Sequence, residues 1–277
     1  MIDINAHKQQ VEEAVAFLRS RLPIMPEVLI QLGTGLGNLV EAMDNSISIP
    51  YLEIPGCPHS TVTGHAGNLV CGTLAGKPCA ILQGRFHYYE GYSAREVGFP
   101  IRVLSLLGVR TAIITNASGG LNTAWPAGTI MTFKDHINRL PDNPLRGPNI
   151  DEWGPRFPDL SAPYNPALRK LARQAARKLK ISDVIEGTYI CIPGPSLETP
   201  AETRMLRQWG ADAVGMSSVP EIITAMHGGL RVLGLSVVAN INDPDDFIPI
   251  LLEDIVEAAK RAEPKLQKMI FEIVREL

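Results

Sequence analysis

Apolar side chains open the chain at helical spacing, then give way to short, almost unbroken apolar runs that end in small-residue turns. Val11, Ala14, Val15 and Leu18 share one face of a helical repeat, which predicts an amphipathic helix over residues 7–22. Val28-Leu29-Ile30-Gln31-Leu32 is short and apolar and reads as a buried strand running into Gly33-Thr34-Gly35-Leu36-Gly37. Residues 69–74 and 78–83, separated by Ala75-Gly76-Lys77, predict a hairpin. A helix over 95–107 and a buried strand over 111–115 follow, the strand ending in a second small-residue turn, Asn116-Ala117-Ser118-Gly119-Gly120.

Residues 136–164 break this rhythm. They are dense in Pro, Gly, Asn and Asp with no steady period, and so predict a long loop of the kind that carries function or touches a neighbour. Beyond it, helices over 166–179, 199–209 and 220–227 alternate with strands over 188–192, 212–215 and 232–239. A third turn, Pro193-Gly194-Pro195-Ser196, follows the first of these strands, and a helix over 251–276 closes the chain. There is no composition break and no internal repeat. The economical expectation is one α/β domain over residues 1–277, with a central mixed, largely parallel β-sheet flanked by helices on both sides. In such folds the ligand site forms outside the strand ends, where the small-residue turns gather.

Composition narrows the partners. With 277 residues, 45% hydrophobic and 20% charged, the chain has ordinary globular usage and enough material for a sizeable core. Net charge is −3 and the basic residues are scattered, so neither a nucleic-acid nor a membrane partner is expected, and an anionic ligand must be held by local groups. Cys57, Cys71, Cys79 and Cys191 form no C-x-x-C pair, and no metal-ligand spacing surrounds them. The opening Met1-Ile2-Asp3-Ile4-Asn5 has no basic stretch before a long apolar run, and no window reaches the roughly 18 apolar residues of a membrane span. A cytoplasmic enzyme is the expectation.

Four stretches could carry chemistry. The glycine turn at residues 33–37 lacks the last glycine of a dinucleotide fingerprint, since Asn38 stands there. It suits a phosphate through backbone N–H groups and the Thr34 hydroxyl, or is simply a tight turn. In Gly84-Arg85-Phe86-His87-Tyr88-Tyr89-Glu90-Gly91, an extended backbone would put Arg85, His87 and Tyr89 on one face, a guanidinium, an imidazole and a phenol suited to an oxyanion beside a hydroxylated ligand. Glu198 lies near a helix start, where a carboxylate is favoured by the helix dipole with or without a ligand. Ser217, at another strand-to-helix junction, could meet an anion or cap the helix.

Taken in order, these pieces resemble the trimeric purine nucleoside phosphorylase family over nearly the whole chain. The resemblance rests on Leu32-Gly33-Thr34-Gly35-Leu36-Gly37, Gly64-His65-Ala66-Gly67, the segment from Gly84 to Gly91, and Thr115-Asn116-Ala117-Ser118-Gly119-Gly120-Leu121-Asn122. It continues through Lys134-Asp135-His136-Ile137-Asn138, Gly194-Pro195-Ser196-Leu197-Glu198-Thr199 and Gly210-Ala211-Asp212-Ala213-Val214-Gly215-Met216-Ser217. It implies phosphorolysis of purine nucleosides to free base and ribose 1-phosphate, with 6-oxopurines such as inosine and guanosine favoured. Thr34, Arg85, His87, the Ala117 backbone N–H and Ser217 match the family's phosphate site, and Tyr89 and Met216 its ribose contacts. Glu198 and Asn240 match the residues that read the purine edge, with Leu197 and Val214 lining the base pocket. The resemblance makes His87, Glu198 and Asn240 the catalytic set. Phe157 matches an aromatic given to the neighbouring subunit's site, which implies a homotrimer. Phosphate is the co-substrate, and the family needs no metal or organic cofactor.

Three departures stand out. Leu197 replaces a common aromatic, the stretch Ile241-Asn242-Asp243-Pro244-Asp245-Asp246 diverges, and Leu252 occupies the place of a histidine that meets the ribose 5′-hydroxyl. The last keeps 5′-methylthioadenosine and 5′-methylthioinosine phosphorolysis as the alternative activity. A non-catalytic nucleoside-binding module fits less well, because a binder needs no phosphate site against the ribose.

Overall fold

The computed structural model describes residues 3–33, 37–59, 66–249 and 251–277, with the backbone but not the side chain of Leu252. Strands β1 (Val28–Leu32), β2 (Asp44–Pro50), β3 (Asn68–Leu74), β4 (Lys77–Gln83), β5 (Thr111–Gly120), β6 (Ile130–Asn138), β7 (Val184–Cys191), β8 (Ala213–Gly215) and β9 (Arg231–Ile241) form one sheet. Its order is β2-β3-β4-β1-β5-β8-β7-β6-β9, and β9 pairs again with β5, so the second half of the sheet curls back on itself. Parallel pairs β1–β4, β1–β5, β5–β9, β6–β7 and β7–β8 mix with the antiparallel pairs β2–β3, β3–β4, β5–β8 and β6–β9.

Helices α1 (Ile4–Arg21), α2 (Ala94–Val97), α3 (Phe99–Leu106), α4 (Pro166–Lys178), α5 (Pro200–Gln208), α6 (Val219–His227) and α7 (Leu252–Arg275) cover the sheet. Alternation along the buried strands feeds two cores. Leu29, Ala112 and Ile114 pack with Val11, Leu18, Phe99 and Ile222 of α1, α3 and α6. Their neighbours Ile30, Leu32 and Ile113 face the other way, against Leu168, Leu266 and Ile270 of α4 and α7. A strand buried on both faces reads as a continuous apolar run, and β1 is buried at all five positions. The four cysteines are free and buried, and burial pushes the Cys57, Cys71 and Cys79 thiols up to about 12.

Several elements differ from their sequence expectation. The supposed turn at 116–120 is the second half of β5, and its small residues serve packing instead: a Cβ on Gly120 would sit 2.7 Å from Ile241 and Val238 of β9. The helix over 95–107 is two helices, because Gly98 ends α2 and Pro100 then starts α3, lacking the N–H that continuation would need. Two strands escaped the periodicity. Edge strand β2 is largely exposed, and β6 turns from buried to exposed at Lys134, so neither shows a steady apolar repeat. Strand β6 therefore takes the first residues of the expected loop. The loop beyond it is pinned: Arg102 stacks 5.2 Å from the Trp153 ring and Arg156 donates to the Leu145 carbonyl at 3.0 Å.

Candidate active site

Five chain segments, each in the last part of a strand or just after it, and a sixth from the last helix converge on a cavity of about 390 Å³, within the usual range for small-molecule sites. Arg85, His87 and Tyr89 follow β4; Asn116 to Gly119 lie on β5; Pro195, Leu197 and Glu198 follow β7. Val214 to Ser217 come from β8 and its exit, Asn240 and Asn242 from the end of β9, and Ile255 from α7.

One end of the cavity carries a buried guanidinium and two hydroxyls. Arg85 is almost fully buried and donates through Nη1 to Ser217 Oγ at 3.2 Å and Ser218 Oγ at 3.4 Å. Its Nε lies 2.9 Å from Glu221 Oε1, and both side chains of this ion pair are buried. Burial drives the Glu221 carboxyl up and the Arg85 charge opposes the shift. Asn116 Nδ2 donates to Ser218 Oγ at 2.8 Å, which ties β5 to the start of α6. Ser218 is the N-cap residue of α6 at φ 70°, yet makes no side-chain cap bond. Ser217 does not cap either. Both hydroxyls accept from Arg85 instead.

Local geometry after β4 departs from a plain extended strand. The chain turns into a short 3-10 helix, Tyr88–Glu90, so alternation fails after His87. Arg85, His87 and Tyr89 still reach one cavity, with the His87 and Tyr89 rings stacked at 4.6 Å. Glu90 Oε1 accepts from the His87 backbone N–H and meets His87 Nδ1, each at 2.8 Å, which orients the imidazole. Burial, with the Glu90 charge adding to it, raises the Tyr89 phenol to about 12, so the hydroxyl stays a donor at neutral pH.

The other end carries a carboxylate and two amides. Helix α5 is capped by Thr199 and Glu202: the Thr199 N–H donates to Glu202 Oε2 at 2.8 Å, and the Glu202 N–H donates to Thr199 Oγ1 at 3.2 Å. Glu198, one residue before the cap, lines the cavity. It is buried, and Asn242 Nδ2 donates to its Oε2 at 3.1 Å, while Asn240 Nδ2 donates to Asn242 Oδ1. Burial raises the Glu198 carboxyl above its ordinary range; a backbone hydrogen bond opposes this, the Glu202 charge adds to it, and the Asn242 bond opposes it again. Between the two ends lie Val214, Gly215 and Met216, propped from behind by Tyr189, whose hydroxyl donates to the Ser217 carbonyl at 3.2 Å.

Arg85 with the two serines and Glu198 with the two amides thus stand at opposite ends of the cavity, with Val214, Gly215 and Met216 between them. The chain belongs to the phosphorylase superfamily. The sequence pattern of that superfamily matches residues 27–275. Purine nucleoside phosphorylase 1 of Bacillus subtilis is 46% identical, covering 96% of this chain and 98% of its own length. The purine nucleoside phosphorylase of Bos taurus is 45% identical over 95% of this chain and 93% of its own length. The structure of a schistosoma purine nucleoside phosphorylase in complex with hypoxanthine superposes with a TM-score of 0.93 at 39% identity, covering 97% of each chain.

Of the residues singled out in the sequence, Arg85, His87, Tyr89, Ala117, Leu197, Glu198, Val214, Met216, Ser217 and Asn240 line this one cavity. Thr34-Gly35-Leu36 and the first two residues of Gly64-His65-Ala66-Gly67 lie outside the described residues, as does the Leu252 side chain. Phe157 is not in the cavity of its own chain; it stands 85% exposed on the long loop, with the Arg156 guanidinium 5.4 Å from its ring. Sequence reasoning passed over Asn116, Glu221, Asn242 and Ile255. For Asn242 a signal existed: it lies two residues beyond Asn240 at the end of a strand, on the same face.

Proposed function

We propose that this purine nucleoside phosphorylase cleaves 6-oxopurine nucleosides, inosine and guanosine foremost, with inorganic phosphate as co-substrate and no metal or organic cofactor. The observation that supports the reading is the buried group of Arg85, His87 and Ser217 at one end of the cavity, set opposite Glu198 and Asn240. Cleaving the glycosidic bond leaves positive charge on the ribose and negative charge on the departing purine. Phosphate held by Arg85, His87, Ser217, the Ala117 N–H and Thr34 stabilises the first and then bonds to C1′, while Asn240 donates to N7 or O6 and stabilises the second. Glu198, as a carboxylate, accepts from N1–H, a hydrogen that adenine lacks. Tyr89 and Met216 hold the ribose, and Leu197 and Val214 the base. Positioning and electrostatics then supply most of the rate, since both reactants bring their own charge.

Release of hypoxanthine from inosine is expected only when phosphate is present, with ribose 1-phosphate formed in equal amount. A coupled oxidation of the released base, run in phosphate-free buffer and then with phosphate, tests this; equal rates in both would mean hydrolysis and end the proposal. We further propose a cytoplasmic homotrimer in which Phe157, exposed on its pinned loop, completes a neighbour's ribose site.

The broader reading, that 5′-methylthio nucleosides are also accepted, is favoured by Ile255, the apolar side chain that α7 places in the cavity. A methylthio group against it would gain roughly 0.8 kcal/mol per methyl-sized unit buried. Methylthioinosine is therefore expected to match or exceed inosine in kcat/KM. A value about 100-fold below inosine, in the opposite direction to the burial term, would remove this reading.

A further inference from the structure

We infer that Asn242 is the positioning residue that sets which purine this enzyme reads, by fixing the direction of the hydrogen-bond chain from Glu198 through Asn242 to Asn240; the inference rests on the phosphorolytic reading above. An ionised carboxylate only accepts hydrogen bonds, so Glu198 requires the NH2 end of the Asn242 amide, which lies 3.1 Å away. That turns Asn242 Oδ1 toward Asn240, and an oxygen there requires the NH2 end of Asn240. One Asn240 hydrogen is spent on Asn242, and the second is left for the base. Through two amides, the charge on Glu198 decides that Asn240 presents a donor. An accepting Glu198 beside a donating Asn240 complements N1–H and O6 of a 6-oxopurine and mismatches N1 and the amino group of adenine.

The setting is built for this. Asn242 is almost fully buried, and its backbone N–H donates to the Gly120 carbonyl at 2.8 Å. Strand β5 makes room for its amide with Gly119, where a Cβ would sit 3.0 Å from Asn242 Nδ2. The charged groups facing this chain of bonds are few. Helix α5 contributes Glu202, which acts on Glu198, and Arg204, which is held by Asp245 at 2.7 Å and by the Pro244 carbonyl. On its own loop Asn242 is followed by Asp243, whose carboxylate accepts from the Asp245 N–H. Strand β5 offers no titratable group there, and α7 presents Ile255, with Glu253 and Asp254 exposed.

Two variants test the inference, each assayed with inosine and adenosine at saturating phosphate. Asn242→Val removes both bonds and frees the Asn240 amide to turn either way, so the inosine-to-adenosine ratio of kcat/KM should fall about tenfold, with the KM for phosphate unchanged. Asn242→Asp puts a second carboxyl beside Glu198, and two carboxylates so close share one proton. Below the raised pKa of that pair, the shared proton restores a donor toward Glu198 while the other oxygen still accepts from Asn240. Above it, the donor is gone. Inosine activity of Asn242→Asp, taken relative to wild type at each pH, should therefore decline as pH rises from 5.5 to 9, on the order of tenfold in all.

A residue that only packs the loop would slow both nucleosides alike and give no pH-dependent recovery. An unchanged ratio in Asn242→Val, or a pH-independent Asn242→Asp, overturns the inference. If the valine variant fails to fold, the aspartate variant decides alone through its pH profile. Failure of wild type to release hypoxanthine in the presence of phosphate would instead bring down the phosphorolytic reading itself.

Discussion

Replacing Arg85 by methionine is expected to destabilise the protein by about 3–5 kcal/mol at neutral pH and, separately, to weaken phosphate binding by about 1.5–3 kcal/mol. The first effect comes from Glu221. Its side chain is 1% exposed and sits 2.9 Å from Arg85, so removing the guanidinium leaves a buried carboxylate without its cation. The second comes from loss of a charge-assisted contact to the bound anion. The two effects separate in the Arg85→Met/Glu221→Met protein. Replacing both members of a buried pair by apolar groups is close to neutral, so stability should return while phosphate binding does not. pH distinguishes the single variant further. Burial already raises the Glu221 carboxyl, and without Arg85 it rises more, so the folded state holds a proton that the unfolded chain gives up near the ordinary carboxylate value. Wild-type Glu221 is raised as well, so both proteins lose stability together at first; the deficit relative to wild type should be small below the wild-type folded value and grow as pH rises from there toward the variant's higher one. Urea unfolding of both proteins at several pH values, with phosphate KM measured alongside, checks all three statements; a double variant no more stable than the single one would show that the ion pair is not what Arg85 contributes to the fold.

Asn240→Asp is expected to lower kcat/KM for inosine by about 100-fold and to shift the preference toward adenosine. The wild-type amide donates to O6 or N7; a carboxylate there faces the O6 lone pairs and cannot donate unless protonated. For adenosine the same carboxylate accepts from the amino group. The gain is limited by Glu198, whose ionised carboxyl has nothing to accept from at adenine N1. Adding Glu198→Gln, which can donate to N1, should therefore raise adenosine cleavage above that of Asn240→Asp alone. Steady-state assays of both variants on both nucleosides decide the matter. An Asn240→Asp enzyme that keeps wild-type inosine activity would mean that Asn240 does not read the base.

Much of the fold was legible because most of it is local. Helix α1 shows its buried face as Val11, Ala14, Val15 and Leu18, and β1 shows a continuous apolar run; both follow from where one short segment must hide its side chains. The misreadings share a cause. At 116–120 the residues look like a turn because they are small, but their size answers to β9 lying against β5. Strands β2 and β6 are half exposed, so tertiary pairing, not periodicity, makes them strands.

The candidate site divides in the same way. Sequence by itself determined the residue types and their strand-end positions: Arg85 and His87 after one strand, Glu198 after another, Met216 and Ser217 after a third, Asn240 at the end of a fourth. It could do so because each motif is short and contiguous, and the chemistry of a side chain is set by its type. Only the tertiary structure decided which groups meet. Glu198 and Asn242 are 44 positions apart in the chain, and no local spacing says that one accepts from the other. Nor does the sequence say that Glu221 sits beside Arg85. Charge pairing, burial and the direction of a hydrogen bond depend on distances between distant segments, and packing of the sheet against its helices sets those distances.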